Sequence, residues 1–298
     1  MKIGYPCINR TIGCKGSRTF RLKSYSEERL IETIQSNLYC LSKMLQFNLT
    51  HEILFFRVTS DIIPFASHPI CKFKWQEHFR EELKNIGDLI RDHNIRISMH
   101  PNQFILINSL DVEVFEKSVK ELEYHTQVLD LIGLGASAKV QIHVGGVYGD
   151  KARSMERFVS RYQKLEKVIR RRLVIENDDR LFNLKDCIQL SAETGVPVLF
   201  DVLHHKLNNT GEKIEKAFEL FTPTWKEEDG LPMVDYSTQQ KDKLKSKHAH
   251  SIDLNHFKNF LMETKRFDFD IMLEIKDKEA SALKAVNVAL KDDRFHIT

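Results

Sequence analysis

Short β-branched segments alternate with long amphipathic segments eight times along this chain of 298 residues. Each short segment has the composition of a buried strand, and each long segment repeats apolar residues at helical spacing. The predicted strands are residues 2–5, 53–57, 96–99, 139–143, 173–176, 198–201, 233–236 and 270–274. The predicted helices are residues 26–49, 75–94, 111–133, 151–170, 184–194, 212–221, 254–264 and 280–290. Eight βα units are the number that closes a (β/α)₈ barrel.

Local signals support this reading of the pattern. Ser26 and Asp111 stand where N-caps are expected, and Gly195 stands where a helix ends. A doubly wound open sheet is the competing fold, but no glycine-rich turn follows the first strand. Because composition is continuous and 42% hydrophobic, we expect one ordered TIM-barrel domain over 1–298, with its site at the C-terminal face of the strands. The weakest region is the long polar stretch 222–253.

The near balance of charge limits how the protein could bind nucleic acid. Lys and Arg number 45 against 42 Asp and Glu, which gives a net charge of +3. DNA binding would therefore depend on local basic patches rather than on the whole surface. The clearest patches are Lys164 and Lys167 with 170–172, and the four lysines within 241–247. A solvated helix face or polar loop explains each patch equally well, so both interpretations stay open.

Nothing in the sequence indicates a membrane or secreted protein. No apolar stretch approaches the roughly 20 residues that cross a bilayer, and the N-terminal residues lack the apolar core of a signal peptide. The five cysteines are odd in number, widely spread and without a zinc-ribbon spacing, which favours a reducing, cytoplasmic location. They are Cys7, Cys14, Cys40, Cys71 and Cys187.

Imidazole and carboxylate side chains recur where the predicted strands end. A single such residue is more often a hydrogen-bonded structural residue than a ligand. Recurrence at equivalent ends of one closed sheet is different, because burying that many carboxylates without a cation is costly. We therefore predict a buried metal site at this face. The candidates are His100, His143, Glu176, Asp201, His204, Asp235 and Glu274, with His68 and His248 in neighbouring loops.

The types of candidate ligand limit which metals and which reactions are expected. No cysteine is included, and mixed imidazole and carboxylate ligands suit Mn²⁺, Zn²⁺, Co²⁺ or Fe²⁺. Nine candidates exceed the needs of one ion, which implies a cluster of two or three. Adjacent ions stabilise both the attacking and the leaving oxygen of a phosphoryl displacement, so phosphodiester hydrolysis is favoured. A sugar isomerase on the same architecture would use fewer histidines and more carboxylates.

Short motifs in a fixed order then resemble the UV damage endonuclease family. Each is weak alone, but their order and spacing across residues 2–279 are specific. They are GYPCIN (4–9), RVTSD (57–61), HP (68–69), HPNQF (100–104), IHVGG (142–146), ENDD (176–179), DVLHH (201–205) and MLEIKDKE (272–279).

The resemblance implies a fold similar to endonuclease IV, with up to three divalent ions. Manganese is the commonest metal in the family, and Zn²⁺, Co²⁺ or Mg²⁺ are possible substitutes. The implied activity is that of a hydrolase acting on ester bonds, which nicks double-stranded DNA immediately 5′ of a UV lesion and leaves a 3′-hydroxyl and a 5′-phosphate. The implied lesions are cyclobutane pyrimidine dimers, 6-4 photoproducts and abasic sites.

The resemblance also assigns roles to residues. All nine candidates match ligand positions, with Asp235 standing where a histidine is expected, and Glu176, Glu274 and His143 are the implied catalytic residues. Met233 replaces a strand lysine that is carboxylated in some members. The implied DNA- and lesion-binding residues are Tyr5, Asn9, Gln103, Phe104 (where tyrosine is usual), Lys276 and Lys278.

Three alternatives remain at this stage. A generalist abasic-site endonuclease of the endonuclease IV type would cut depurinated DNA but not UV photoproducts. A metal-dependent sugar isomerase or epimerase would turn over carbohydrate and have no affinity for DNA. A barrel that only binds damaged DNA would have no need of so many metal ligands. A single barrel of this size is expected to act as a monomer.

Overall fold

In the computed structural model, which describes residues 1–102 and 104–296, eight parallel strands close into one barrel in the order β1 to β8. The predicted (β/α)₈ fold is confirmed. The strands are β1 (Ile3–Pro6), β2 (Phe55–Val58), β3 (Arg96–Met99), β4 (Lys139–His143), β5 (Leu173–Glu176), β6 (Val198–Asp201), β7 (Met233–Tyr236) and β8 (Asp270–Leu273).

The helices surround the barrel, and two of the predicted helices are divided. They are α1 (Glu27–Thr50), α2 (Trp75–His78), α3 (Arg80–Asp92), α4 (Val112–Leu131), α5 (Lys151–Lys164), α6 (Lys167–Arg170), α7 (Leu184–Thr194), α8 (Val202–Leu207), α9 (Ile214–Phe221), α10 (Leu254–Glu263) and α11 (Glu279–Ala289). The predicted helix 75–94 breaks at Phe79, and the predicted helix 151–170 breaks after Lys164. The short α8 was not predicted at all.

The predicted caps are present. Ser26 accepts a hydrogen bond from the backbone nitrogen of Arg29, and Asp111 caps α4 in the same way. Gly195 ends α7 in the left-handed region at φ 76°, where a side chain would be strained. Among the described residues, no helix is both long and apolar enough to cross a bilayer.

One pair of cysteines departs from the expectation that a reducing environment would leave all five free. Cys14 and Cys40 form a disulfide, with 5.8 Å between their Cα atoms, while Cys7, Cys71 and Cys187 are free. The fold brings the segment after β1 against α1, and a separation of 26 residues in the sequence gave no sign of this contact.

Polar side chains fill much of the barrel interior. Residues two apart on a strand face the same side, so Lys139, Gln141 and His143 of β4 form one inward series. Lys139 and Gln141 are fully buried, and Arg57 of β2 and Asp235 of β7 are as deeply buried. TIM barrels are more often filled by layers of branched aliphatic residues. The charged side chains in this interior must instead be compensated by ion pairs and hydrogen bonds with one another.

The N-terminal end of the barrel contains two buried ion pairs. Arg96 and Asp270, at the first positions of β3 and β8, lie 2.6 Å apart with side chains only 6% and 4% exposed. The Arg96 guanidinium also lies 5.5 Å from the ring of Trp225. Beside them Lys139 pairs with Asp229. These pairs close the barrel at the end opposite the polar strand ends.

Replacing Asp270 with asparagine tests the energetic role of this layer. We expect the free energy of unfolding in urea to fall by about 3–5 kcal/mol, because Arg96 is left buried without its counter-charge. The matched control is Glu215→Gln, which removes an exposed ion pair to Arg266 of similar length, 2.7 Å. That change should cost no more than about 1 kcal/mol. Equal losses in the two variants would contradict the assignment.

Candidate metal centre

Seven of the nine predicted ligands meet at the C-terminal ends of the strands. They form three groups of three, and within each group the candidate ligand atoms lie within 4.8 Å of one another. Glu176 and Asp201 each belong to two groups, so the groups make one continuous cluster. The groups are His100, His143 and Glu176; Glu176, Asp201 and His204; and Asp201, Asp235 and Glu274.

Glu176 stands at the centre of the first two groups. Its Oε2 atom lies 3.7 Å from Nε2 of His100 and 3.9 Å from Nε2 of His143. These separations exceed hydrogen-bonding distance, so these two imidazoles and the carboxylate do not satisfy one another directly. The side chain of Glu176 is only 1% exposed, and its partners within hydrogen-bonding distance are the amide of Gln141 and the imidazole of His204 instead.

A joint between strand and helix fixes Asp201 and His204 together. Asp201 ends β6 and is also the N-cap of α8, where its Oδ1 atom accepts from the backbone nitrogen of His204 at 2.6 Å. Its Oδ2 atom is buried and has no hydrogen-bond partner among the described residues. His204 Nδ1 lies 3.0 Å from the carbonyl oxygen of Asn177 and 2.9 Å from Oε1 of Glu176. These contacts orient the ring so that Nδ1 faces the carboxylates of both Glu176 and Asp201.

The protonation properties of the cluster indicate a missing positive charge. Burial raises the pKa of Asp201 to about 7. Burial opposes protonation of His204, but the carboxylates of Asp201 and Glu176 outweigh it and raise the pKa of that imidazole to about 11. A divalent cation would supply the positive charge that the proton on His204 otherwise provides. Imidazole with carboxylate is a suitable donor set for such an ion. The residues present therefore fit a metal cluster.

Arg57 is the main functional residue to which the sequence analysis gave no role. Its Nη2 atom donates to both oxygens of Asp235, at 2.7 and 2.8 Å, and its Nη1 atom donates to Oε1 of Glu274. The side chain is 2% exposed. The available signal was a charged residue inside an otherwise apolar strand, because a fully buried arginine requires a partner.

Gln141 connects this arginine to the rest of the cluster. Its Oε1 atom accepts from Arg57 at 2.6 Å, while its Nε2 atom donates to Glu176 and, at 2.7 Å, to Asp235. Arginine can only donate and carboxylates can only accept, so the amide has one possible orientation here. Gln141 therefore positions Glu176 within the first two groups.

Asp235 is fully buried, and both its oxygens already have partners. It lies in the third group, where its oxygens accept hydrogen bonds from Arg57 and Gln141. Met233, two residues earlier on β7, is also fully buried. The predicted ligand role of Asp235 stays a prediction.

The two predicted ligands in loops have different positions. His248 Nε2 lies 3.5 Å from Oε2 of Glu274, at the edge of the cluster. Arg57 outweighs the effect of burial on Glu274 and lowers the pKa of that carboxyl to about 2. His68 is exposed, packs its ring 6.2 Å from that of Phe65, and belongs to none of the three groups. In this structure it lies outside the cluster it was expected to join.

The predicted lesion-binding residues near the N-terminus are buried. Tyr5 is fully buried between β1 and α1, where its hydroxyl donates to Asn48 at 2.7 Å. Asn9 is 3% exposed and donates to the same hydroxyl at 3.0 Å. The alternation of β1 turns Tyr5 toward the helix layer, which differs from the expectation that it lines a damage pocket.

Three of the other predicted DNA-binding residues, Phe104, Lys276 and Lys278, lie in loops at the C-terminal face. Phe104 is 68% exposed, and its neighbour Gln103 lies outside the described residues. Lys276 donates to Gln240 at 2.5 Å. Lys278 is half-buried near Glu274, and burial lowers its pKa. Their contacts with DNA stay predictions.

Comparisons with known proteins agree with the motifs. The family model described as UV-endonuclease UvdE matches residues 1–294. The UV DNA damage endonuclease of Clostridium perfringens (strain 13 / Type A) is 40% identical over 289 residues, which cover 96% of this chain and 70% of that protein. The crystal structure of SacUVDE is 46% identical, covers 98% of both chains and has a TM-score of 0.94.

A more distant solved structure agrees in fold alone. Endonuclease IV from Thermus thermophilus is 15% identical, covers 84% of this chain and 92% of that chain, and has a TM-score of 0.58. The resemblance inferred from the motifs is confirmed by the family match over nearly the whole chain. The chain belongs to the UV-endonuclease UvdE family.

Proposed function

We propose that this protein is a metal-dependent DNA repair endonuclease that nicks double-stranded DNA immediately 5′ of UV photoproducts. Its substrates are cyclobutane pyrimidine dimers and 6-4 photoproducts, together with abasic sites, and the products carry a 3′-hydroxyl and a 5′-phosphate. One observation carries this proposal beyond family membership. It is the continuous cluster of buried and half-buried imidazoles and carboxylates at the C-terminal face, in which one oxygen of Asp201 has no hydrogen-bond partner among the described residues.

The first two groups are the best-prepared places for metal ions. His100, His143 and Glu176 would hold one ion, and Glu176, Asp201 and His204 would hold a second. When bound, such ions supply Lewis acidity to the phosphate and to an attacking water. Mn²⁺ is the expected metal from the family resemblance, with Zn²⁺, Co²⁺ or Mg²⁺ as possible substitutes. In the third group Arg57 already neutralises Asp235 and one oxygen of Glu274.

The protein's own residues set the geometry for the reaction. Gln141 holds Glu176 in one orientation, and Asn177 holds the ring of His204. Glu274, fixed by Arg57, presents its second oxygen toward His248. This preorganisation avoids rearrangement of charged groups when the scissile phosphate binds. His143 belongs to the first ion group, where the resemblance implies a catalytic role.

Recognition of the lesion is assigned to loops around the cluster. Phe104 offers an exposed aromatic face, and stacking of a base on such a ring contributes about 1–3 kcal/mol. A distorted or unpaired base leaves the duplex at lower cost than a normal one, which favours damaged sites. Lys276 and Lys278 are the proposed phosphate contacts. All the candidate ligands come from one barrel, so we propose a monomer.

The first experiment compares nicking of supercoiled plasmid that is untreated, UV-irradiated or depurinated, with Mn²⁺ or with EDTA. We expect Mn²⁺-dependent relaxation of irradiated and depurinated plasmid. Glu176→Gln should abolish it while leaving lesion binding largely intact, because two ion groups lose a shared ligand. Glu193→Gln, an exposed carboxylate on α7, is the control. Cutting only depurinated plasmid would identify a generalist abasic-site endonuclease, and cutting neither would overturn the proposal.

A second experiment tests Arg57 as the resident cation of the third group. In Arg57→Gln we expect the free energy of unfolding in EDTA to fall by about 3–5 kcal/mol, because buried carboxylates lose their partner. Saturating Mn²⁺ should raise the melting temperature more in this variant than in the wild type, since an ion can replace the guanidinium.

The control for this experiment is Arg266→Gln, which breaks an exposed ion pair to Glu215 far from the cluster and a contact with the ring of Phe267. It should leave the Mn²⁺-induced shift of the melting temperature unchanged. An identical shift in Arg57→Gln and the wild type would show that the arginine does not stand in for a metal ion.

A further inference from the structure

A hairpin on the C-terminal face returns directly to the metal centre. We call it the lysine arm, residues 239–248. Gln239 and His248 form an isolated antiparallel bridge at its base, and the backbone nitrogen of Gln240 donates to the carbonyl of Lys247 at 2.7 Å. Because His248 contacts Glu274, the base of the arm is part of the edge of the cluster.

The arm is held in shape by its own contacts and by neighbouring loops. The amide of Gln239 donates to the carbonyl of Leu244 at 2.9 Å and accepts from the backbone nitrogen of Ser246 at 2.9 Å. The hydroxyl of Ser246 is bonded to Asp179, in the loop after β5. On the other side, Lys276 after β8 donates to Gln240. The arm is therefore braced on both sides.

The tip of the arm combines one exposed apolar side chain with unpaired positive charge. Leu244 is 79% exposed, more than the other exposed large apolar residues of the described chain. Lysines occupy every second position around it and are exposed, and none forms an ion pair with a described residue. They are Lys241, Lys243, Lys245 and Lys247. A solvated loop explains the lysines, but not an apolar residue held at their centre.

The position of the arm in the barrel adds a second argument. In a closed barrel of eight strands, β3 and β7 are four strands apart and therefore stand opposite each other. The loop after β3 carries Phe104, which is 68% exposed, and the segment after β7 carries Leu244. A duplex lying across the metal centre would meet one exposed apolar side chain from each side.

We propose that the lysine arm is a DNA-inserting element, in which Leu244 enters the duplex beside the lesion while the flanking lysines contact phosphates. Apolar wedges of this type separate base steps and kink the helix, and lysines supply the salt-dependent part of binding. The inference rests on the proposed function and adds a second contact opposite Phe104. It also gives the basic patch of 241–247 a specific partner.

The test compares Leu244→Ser with the wild type on paired duplexes, one undamaged and one with a single abasic site flanked by 2-aminopurine. Binding is measured by fluorescence anisotropy, and unstacking by the rise in 2-aminopurine emission. Removing the leucine should weaken lesion binding about tenfold, since burying such a side chain is worth about one tenfold step. Binding to undamaged duplex should stay unchanged, and the emission rise should disappear.

Two further variants make the result specific. Met262→Ser removes another exposed apolar side chain, 66% exposed near the end of α10, and should behave as the wild type. The double variant Lys243→Gln and Lys245→Gln should bind both duplexes more weakly. It should also reduce the slope of log affinity against log salt concentration by about 2. It should keep the emission rise, because the wedge is intact.

The outcomes separate this proposal from the one on which it rests. If Leu244→Ser binds the lesion and unstacks the flanking base like the wild type, while both proteins nick irradiated plasmid, the arm is not a wedge. If the wild type neither binds nor nicks damaged DNA, the proposed function itself fails.

Discussion

Arg57 places a fixed positive charge inside the barrel, and the polar interior depends on it. Buried carboxylates tolerate low dielectric surroundings only when a cation and hydrogen bonds compensate them. Asp235 obtains both from one guanidinium, and Glu274 is held by the same group. Without it, the upper part of the barrel would contain several carboxylates with no permanent partner. The protein itself therefore compensates Asp235 and one oxygen of Glu274 at the C-terminal face.

This arrangement divides the cluster into two parts with different properties. On the side of β2, β7 and β8, both oxygens of Asp235 accept hydrogen bonds from Arg57 within the protein alone. On the side of β4, β5 and β6, Glu176 faces the imidazole of His143 at a distance too long for a hydrogen bond. One oxygen of Asp201 there has no partner within residues 1–102 and 104–296. Gln141 joins the two parts. The negative charge is compensated by Arg57 on the first side and is less fully compensated on the second. A bound cation would therefore be stabilised most on the second side.

Much of the fold was readable from the sequence because strand composition and helical periodicity are local properties. The breaks within two of the helices could not be predicted, because the amphipathic pattern continues through Phe79 and Leu165 although the backbone turns there. The cluster was found because its residues stand at strand ends. Gln141 was missed because its partner Asp235 lies 94 residues away, across the barrel. The exposed position of His68 likewise depends on loop packing, which spacing does not encode.

The joint at Asp201 has a consequence for how this family can change. Asp201 is the last residue of β6, and α8 begins at the next residue without an intervening loop. The carboxylate of Asp201 caps α8 by accepting from the backbone nitrogen of His204. The other strand ends lead into loops that can gain or lose residues while the barrel persists. Between Asp201 and His204 a single insertion would rotate the second side chain by about 100° around the helix, since a turn holds 3.6 residues. The spacing between these two candidate ligands is therefore fixed by the turn itself, and changes of chain length are accommodated in the loops that surround the turn rather than within it.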